Sequence, residues 1–218
     1  MRYQDLQFEQ RQITILDAAR RLFRQGPWDR VTIAELASSA GIGKGTVYKH
    51  FPSKEALYAR LVLDQSRHNL NQLRQLDDSQ PGAQSMHRVI RQAFEQMLAD
   101  PVLVQLCQVC DRPAFRERLD APYREEFLAL ECDYLTLFSQ LLEQNLGGQK
   151  LSQAICQQLL WGVEACFNGV MARIASGGSA YWAGPAAQDA YFTGVTDFII
   201  AGLRTQAAEL LAQPLLHE

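Results

Sequence analysis

Between Thr32 and Leu57 the chain gathers side chains that can donate hydrogen bonds to phosphate oxygens and base edges. Lys44, Thr46, Tyr48, Lys49 and His50 follow one another closely, in a segment that Pro52 cuts short. Ammonium, hydroxyl and imidazole donors on one short helix are the groups that read a DNA groove and grip its backbone. This spacing assigns Lys44, Thr46 and Lys49 to the groove. Thr32, Tyr48, His50 and Lys54 are assigned mainly to phosphates, with Gly45 allowing close approach of the two backbones.

Other candidate chemistry is weaker. Gly41-Ile42-Gly43-Lys44-Gly45-Thr46 imitates a nucleotide-binding loop. Such a loop needs Ser or Thr directly after the lysine, and a buried strand before the first glycine. Gly45 follows Lys44, and the residues ahead of Gly41 read as helix, so nucleotide binding is not expected. Cys107-x-x-Cys110 sets two thiols on one helical face, but a metal would need two further ligands that no neighbouring His or Cys pair supplies. Two small core thiols are the plainer account. His50, His68, His87 and His217 have no ligand spacing. Arg112, Arg116, Arg118 and Arg124 are interleaved with Asp111, Glu117, Asp120, Glu125 and Glu126, which reads as a solvated, salt-bridged face. No Ser/His/Asp set and no carboxylate pair in a recognisable setting is present, so an enzyme is not predicted, and neither cofactor nor metal is expected.

The donors need a scaffold, and the local sequence spells one. Thr32 and Glu35 have the spacing of a capping box that starts a helix. Ala37 allows close helix contact. Gly41 can take the positive φ of a sharp turn, and Ile42 and Val47 anchor the far side. Two short helices joined in this way form a helix-turn-helix. Upstream, Ile13, Leu16, Ala19, Leu22 and Phe23 predict one apolar helix face ending near Gly26-Pro27, with Trp28 plugging the small domain's core. Downstream, Ser53 and Lys54 open a long fourth helix with Leu57, Leu61, Leu70 and Leu73 at helical spacing, closing by Asp78 before Pro81-Gly82.

This segment resembles the DNA-binding domain of the TetR family of transcriptional regulators. The matching residues are Ile15-Leu16-Asp17-Ala18-Ala19 with Leu22-Phe23 and Gly26, then Val31-Thr32-Ile33-Ala34-Glu35-Leu36-Ala37. The pattern continues through Gly41-Ile42 and Lys44-Gly45-Thr46-Val47-Tyr48 to Phe51-Pro52-Ser53-Lys54-Glu55-Ala56-Leu57. Gly43 departs from it, standing where the family often has a capping residue such as Ser; glycine is a tolerable N-cap. The resemblance implies a homodimeric regulator, usually a repressor, with His50 on the DNA side and dimerisation through the last two long helices.

Charge is divided along the 218 residues. The overall formal charge is −3, yet residues 1–60 hold ten Lys/Arg against six Asp/Glu, and residues 61–218 hold eleven against eighteen. The basic end is the end with the helix-turn-helix, which places the nucleic-acid contact there. No run approaches the ~18 apolar residues of a membrane span. The segment Met1 to Gln12 lacks the apolar core of a signal peptide. A cytoplasmic protein with no membrane partner, and five reduced cysteines, is therefore expected.

Helical periodicity covers the remainder, with further helices at about 83–99, 102–110, 121–146, 151–176 and 186–212. Breaks fall at Pro101, Pro113, Gly147-Gly148 and Gly177-Gly178 through Gly184-Pro185. Asp120 and Pro122, followed by Glu125 and Glu126, mark a helix start. Ile155, Leu159, Cys166, Val170 and Ile174 form one stripe, and Leu160, Val163, Phe167 and Met171 a second. Tyr191, Phe192, Val195, Phe198, Ile199 and Leu203 do likewise in the final helix. Two apolar faces on one helix are either a central core helix or a core helix that also meets a second subunit. The resemblance favours the dimer, with Phe167, Val170, Ile174, Phe192, Val195, Phe198 and Ile199 at its interface. A pocket for a small effector is expected among Phe94, Met97, Cys107, Tyr123, Phe127, Tyr134, Phe138, Trp161 and Asn168; its apolar lining suits a hydrophobic or aromatic compound.

The expected architecture is all-α with about nine helices. Residues 1–52 form a three-helix helix-turn-helix domain, and 53–218 a helical regulatory domain with ligand pocket and dimer interface. The expected function is ligand-responsive transcriptional regulation by a homodimeric repressor that binds double-stranded DNA at a palindromic operator and is released from it by a small hydrophobic or aromatic effector. The alternative of another class is a helical enzyme or small-molecule carrier with an incidental helix-turn-helix.

Overall fold

The computed structural model describes residues 3–79, 84–178 and 184–212. Among them every regular element is helical: α1 (Tyr3–Gln25), a 3-10 turn (Trp28–Arg30), α2 (Ile33–Ser39), α3 (Lys44–His50), α4 (Lys54–Ser79), α5 (Ser85–Ala99), α6 (Pro101–Cys110), α7 (Pro113–Arg116), α8 (Ala121–Asn145), α9 (Gln153–Ala175) and α10 (Pro185–Ala212). The fold class is all-α, as expected. The α-helix beyond the nine expected is α7, where Pro113 opens a single turn instead of merely separating its neighbours, because a first-turn proline has no amide to lose. No described helix is long and apolar enough to cross a membrane. The Pro81-Gly82 break and His217 lie outside the described residues.

The chain forms two compact units. The first runs to Gln65 and also takes in Gln105–Phe127; the second holds Ser66–Val104 and the chain from Leu128 onward. A division at residue 52 was expected, but side-chain contacts carry the first unit further along the chain. Tyr58 on α4 meets Phe23 and Trp28 edge-on, with ring centroids 5.8 and 5.3 Å away. Trp28 is thus a half-buried plug, as expected, and its Nε1–H donates to Gln105 Oε1 at 2.7 Å. Arg60 of α4 donates to Asp64 at 2.8 Å and to both carboxylate oxygens of Glu126 at 3.0 and 3.1 Å.

The core of the first unit is local in origin. Ile15, Leu16, Ala18, Ala19 and Phe23 of α1, Leu36 and Ala37 of α2, Val47 of α3 and Leu57 of α4 are all buried. Ile13, expected on this face, is exposed, and Ile15 takes the inward position. In the second unit Phe94 of α5 lies 4.8 Å from Phe167 of α9 and 5.4 Å from Phe192 of α10. Phe138 of α8 meets Phe167 at 5.7 Å. Buried Asp77 accepts hydrogen bonds from the hydroxyl of Ser85 and, at 3.4 Å, from the side-chain amide of Gln144.

Candidate nucleic-acid interface

The turn between α2 and α3 sets the presentation of α3. Thr32 Oγ1 accepts from the Glu35 amide at 3.2 Å, and Glu35 Oε2 accepts from the Thr32 amide at 2.8 Å, so the expected capping box is complete. At the other end Gly41 adopts φ +67°. Its amide donates to the Ser38 carbonyl at 3.1 Å, and the Ile42 amide to the Ala37 carbonyl at 3.0 Å. This pair of bonds is a Schellman motif. It satisfies the end of α2 and reverses the chain. Val47 is fully buried and seats α3.

With Val47 facing inward, Lys44, Gly45, Tyr48 and Lys49 are exposed and Thr46 is half-buried. Neither lysine is paired with an acid among the described residues, so both charges are available to an anion. Three other predicted contacts are engaged within the protein. The Thr32 hydroxyl is held by the Glu35 carboxylate at 2.8 Å. Lys54 Nζ donates to the Asp29 carbonyl at 3.0 Å and lies 5.7 Å from the Tyr58 ring centroid. His50 is half-buried, and its pKa is lowered first by desolvation and then by the nearby Arg11 charge. Its ring stacks on Phe8 of α1, a residue that the sequence reading passed over. Phe8 stands seven residues before Ile15, two helical turns on the same side, and that spacing was the available signal.

The residues expected to line an effector pocket fall in both units. Cys107, Tyr123 and Phe127 belong to the first unit, and Phe94, Met97, Tyr134, Phe138, Trp161 and Asn168 to the second. Arg116 covers Phe127, with its guanidinium 3.6 Å from the ring centroid. Burial pushes the Cys110 thiol up, which suits a core residue rather than a nucleophile. Trp161 and Asn168 lie exposed on α9, so they belong to its outer face. Phe94 and Phe138 join the aromatic cluster with Phe167 and Phe192.

The residues expected at a dimer interface also divide. Val170, Ile174, Phe192 and Ile199 are buried within the chain, and Phe167 and Val195 are half-buried; Phe198 is exposed. The division follows from burial: Val170, Ile174, Phe192 and Ile199 turn inward and fill the second unit. Outside lie two aromatics, Trp161 at 61 % and Phe198 at 71 % exposure, among small residues and polar ones such as Glu164, Asn168 and Asp197. Gly162, Ala165, Gly169 and Ala172 accompany the first, and Gly194, Ala201 and Gly202 the second, all exposed.

Residues 15–61 match the model of the bacterial regulatory proteins of the tetR family. Over 48 residues the chain is 38% identical to an HTH-type transcriptional repressor of Mycobacterium tuberculosis, covering 22% of this chain and 26% of that protein. Over 88 residues it is 28% identical to the HTH-type transcriptional regulator TtgR of Pseudomonas putida, covering 39% of this chain and 42% of that one. The chain therefore spans less than half the length of these curated relatives. In fold it is similar to the regulator FadR of Bacillus subtilis, solved in complex with stearoyl-CoA: TM-score 0.63, 16% identity, 87% of this chain and 98% of that one. A regulator from Pseudomonas aeruginosa PAO1 superimposes with TM-score 0.66 at 17% identity, over 90% and 91% of the two chains. By the helix-turn-helix described above and by this match, residues 15–61 form a DNA-binding domain of the tetR family of bacterial regulatory proteins.

Proposed function

We propose that the protein is a homodimeric transcriptional repressor that binds a palindromic operator and is released by a small hydrophobic or aromatic effector. The observation that carries the DNA-binding part is the exposed run Lys44, Gly45, Tyr48 and Lys49 on a helix fixed by a Schellman turn and a buried valine. Groove recognition by Lys44, Thr46 and Lys49 supplies sequence preference, and Tyr48 with the basic first sixty residues supplies phosphate affinity. Lys54, Thr32 and His50 contribute through the positions they hold as much as through direct contact.

The dimer reading rests on the outer faces of α9 and α10, which pack on each other within the second unit. Trp161 and Phe198 are the apolar anchors, and the surrounding glycines and alanines let a partner helix approach closely. A two-fold pairing presents two copies of α3 to two half-sites. The effector reading rests on the cluster Phe94, Phe138, Phe167 and Phe192; one helical turn after Phe192 on α10, Thr196 is fully buried with its hydroxyl unpartnered. An apolar compound with one acceptor would complement such a site. The long acyl chain named for the Bacillus subtilis neighbour is one example of that chemistry. A ten- to hundredfold loss of operator affinity needs about 1.4–2.8 kcal/mol of differential binding between two states.

The test is a selection of duplexes from a random pool by the full-length protein, followed by titration of long-chain acyl and aromatic compounds into the selected complex. An inverted repeat and release by an apolar compound are expected. Failure to enrich any sequence would refute the DNA reading. Tight binding of such a compound with no effect on the complex would refute the effector reading.

A further inference from the structure

α1 begins at Tyr3, twelve residues before the shared family domain starts. On that extension the Phe8 ring is 49 % exposed, yet it stacks on His50 with centroids 4.0 Å apart and planes inclined by 31°. His50 is the last residue of α3. Its Nδ1 is enclosed and has no hydrogen-bond partner. A neutral imidazole carries one N–H. Placed on Nδ1, that hydrogen would be a buried, unsatisfied donor, which is costly. The proton therefore belongs on Nε2. Arg11, one turn of α1 beyond Phe8, is the charged group that acts on the ring, and it disfavours the doubly protonated form.

We propose that Phe8 is a positioning residue for DNA binding: its ring holds His50 as a fixed Nε2–H donor for a backbone phosphate at the end of α3, with exposed Arg11 alongside as a further phosphate cation. This rests on the reading of α3 as the recognition helix. A donor already held in one rotamer loses less freedom on binding than a mobile one. The stacked pair itself is of the kind worth about a two- to tenfold change in an equilibrium constant. The extension thus belongs to the DNA-contacting surface, although it precedes the residues that match the family model.

The test uses full-length protein and a duplex recovered from a random pool by the unmodified chain. Phe8→Ala and His50→Ala should each weaken binding about two- to tenfold. The double variant should be no weaker than His50→Ala alone, and Phe8→Trp should retain most of the affinity. In free protein, proton NMR of the His50 imidazole should show its pKa rising toward the ordinary histidine value in Phe8→Ala, since the enclosure is relieved. If Phe8→Ala does not fold, Phe8→Leu carries the same comparison. Unchanged affinity in Phe8→Ala, full additivity with His50→Ala, or an unmoved His50 titration would overturn the proposal. Lys44→Ala/Lys49→Ala separates the two levels. If that variant binds as well as the unmodified protein, the recognition-helix reading falls and takes this one with it; if it loses affinity while Phe8→Ala does not, only the positioning role falls.

Discussion

Placing a glutamate at Phe198 should dissociate the proposed dimer while leaving the chain folded. A phenylalanine offers roughly 150–250 Å² of surface, and Phe198 is 71 % exposed in the single chain, so roughly 110–180 Å² per copy is available to a partner. At ~25 cal/mol per Å² that is about 3–4 kcal/mol for each of two copies, an upper bound. Allowing for incomplete burial, Phe198→Glu should weaken association by about 3–6 kcal/mol, raising the dissociation constant roughly 10²- to 10⁴-fold. Sedimentation velocity from nanomolar to tens of micromolar protein would read this, with circular dichroism to confirm helix content. Val170 and Ile174 supply the contrast. They are 2 % and 1 % exposed, so an aspartate at either should unfold the second unit rather than yield a folded monomer. A monomeric unmodified protein over that range, or a Phe198→Glu variant that dimerises normally, would refute the reasoning.

Gly41→Ala should destabilise the first unit by about 1–2 kcal/mol in urea unfolding, because alanine is strained at φ +67° even though a Cβ there meets no neighbour. Arg60→Met should cost about 1–3 kcal/mol, less to the extent that water screens the half-exposed Asp64 and Glu126 left behind; Glu126→Gln, which keeps one acceptor, should cost less. The Glu35 pKa is lowered, chiefly by the Thr32 amide and then by its hydroxyl. The folded state therefore holds this carboxylate ionised, so the capping contribution is present above the ordinary glutamate range and lost as pH falls through the lowered value. NMR titration should find Glu35 returning to the ordinary range in Thr32→Ala, with the pH dependence of α2 order lost.

The helix-turn-helix was legible because its determinants are local. A capping box, a glycine at the reversal and a buried valine act over a few residues, and Thr32, Glu35, Gly41 and Val47 do what their spacing predicts. The limits of the first unit were not legible, since Trp28 and Gln105 lie 77 residues apart and neither side chain advertises the other. Ile13 and Ile15 point to different sides of α1; Leu16, Ala19 and Phe23 share the arc of Ile15, and a face started from Ile13 takes the wrong one of the two. On α9 and α10 the apolar residues outnumber the positions that one face can bury. Hydrophobicity therefore pointed to Val170 and Ile174 for a partner, when residues of that kind fill the chain's own interior. Small residues around Trp161 and Phe198 are the quieter sign of an outer face. His50 was identified as a DNA-side residue from its position, but the ring covering it comes from a segment that composition presents as merely polar.

The most direct test of the central claim is a fluorescence-anisotropy titration of full-length protein against its selected duplex and a scrambled one, repeated with Lys44→Ala/Lys49→Ala. The unmodified protein should prefer the selected duplex by at least about 10³-fold. The double variant should fall toward the scrambled-sequence affinity, because groove-reading lysines are lost from an otherwise intact head. A double variant that keeps the full preference would show that α3 does not read the sequence.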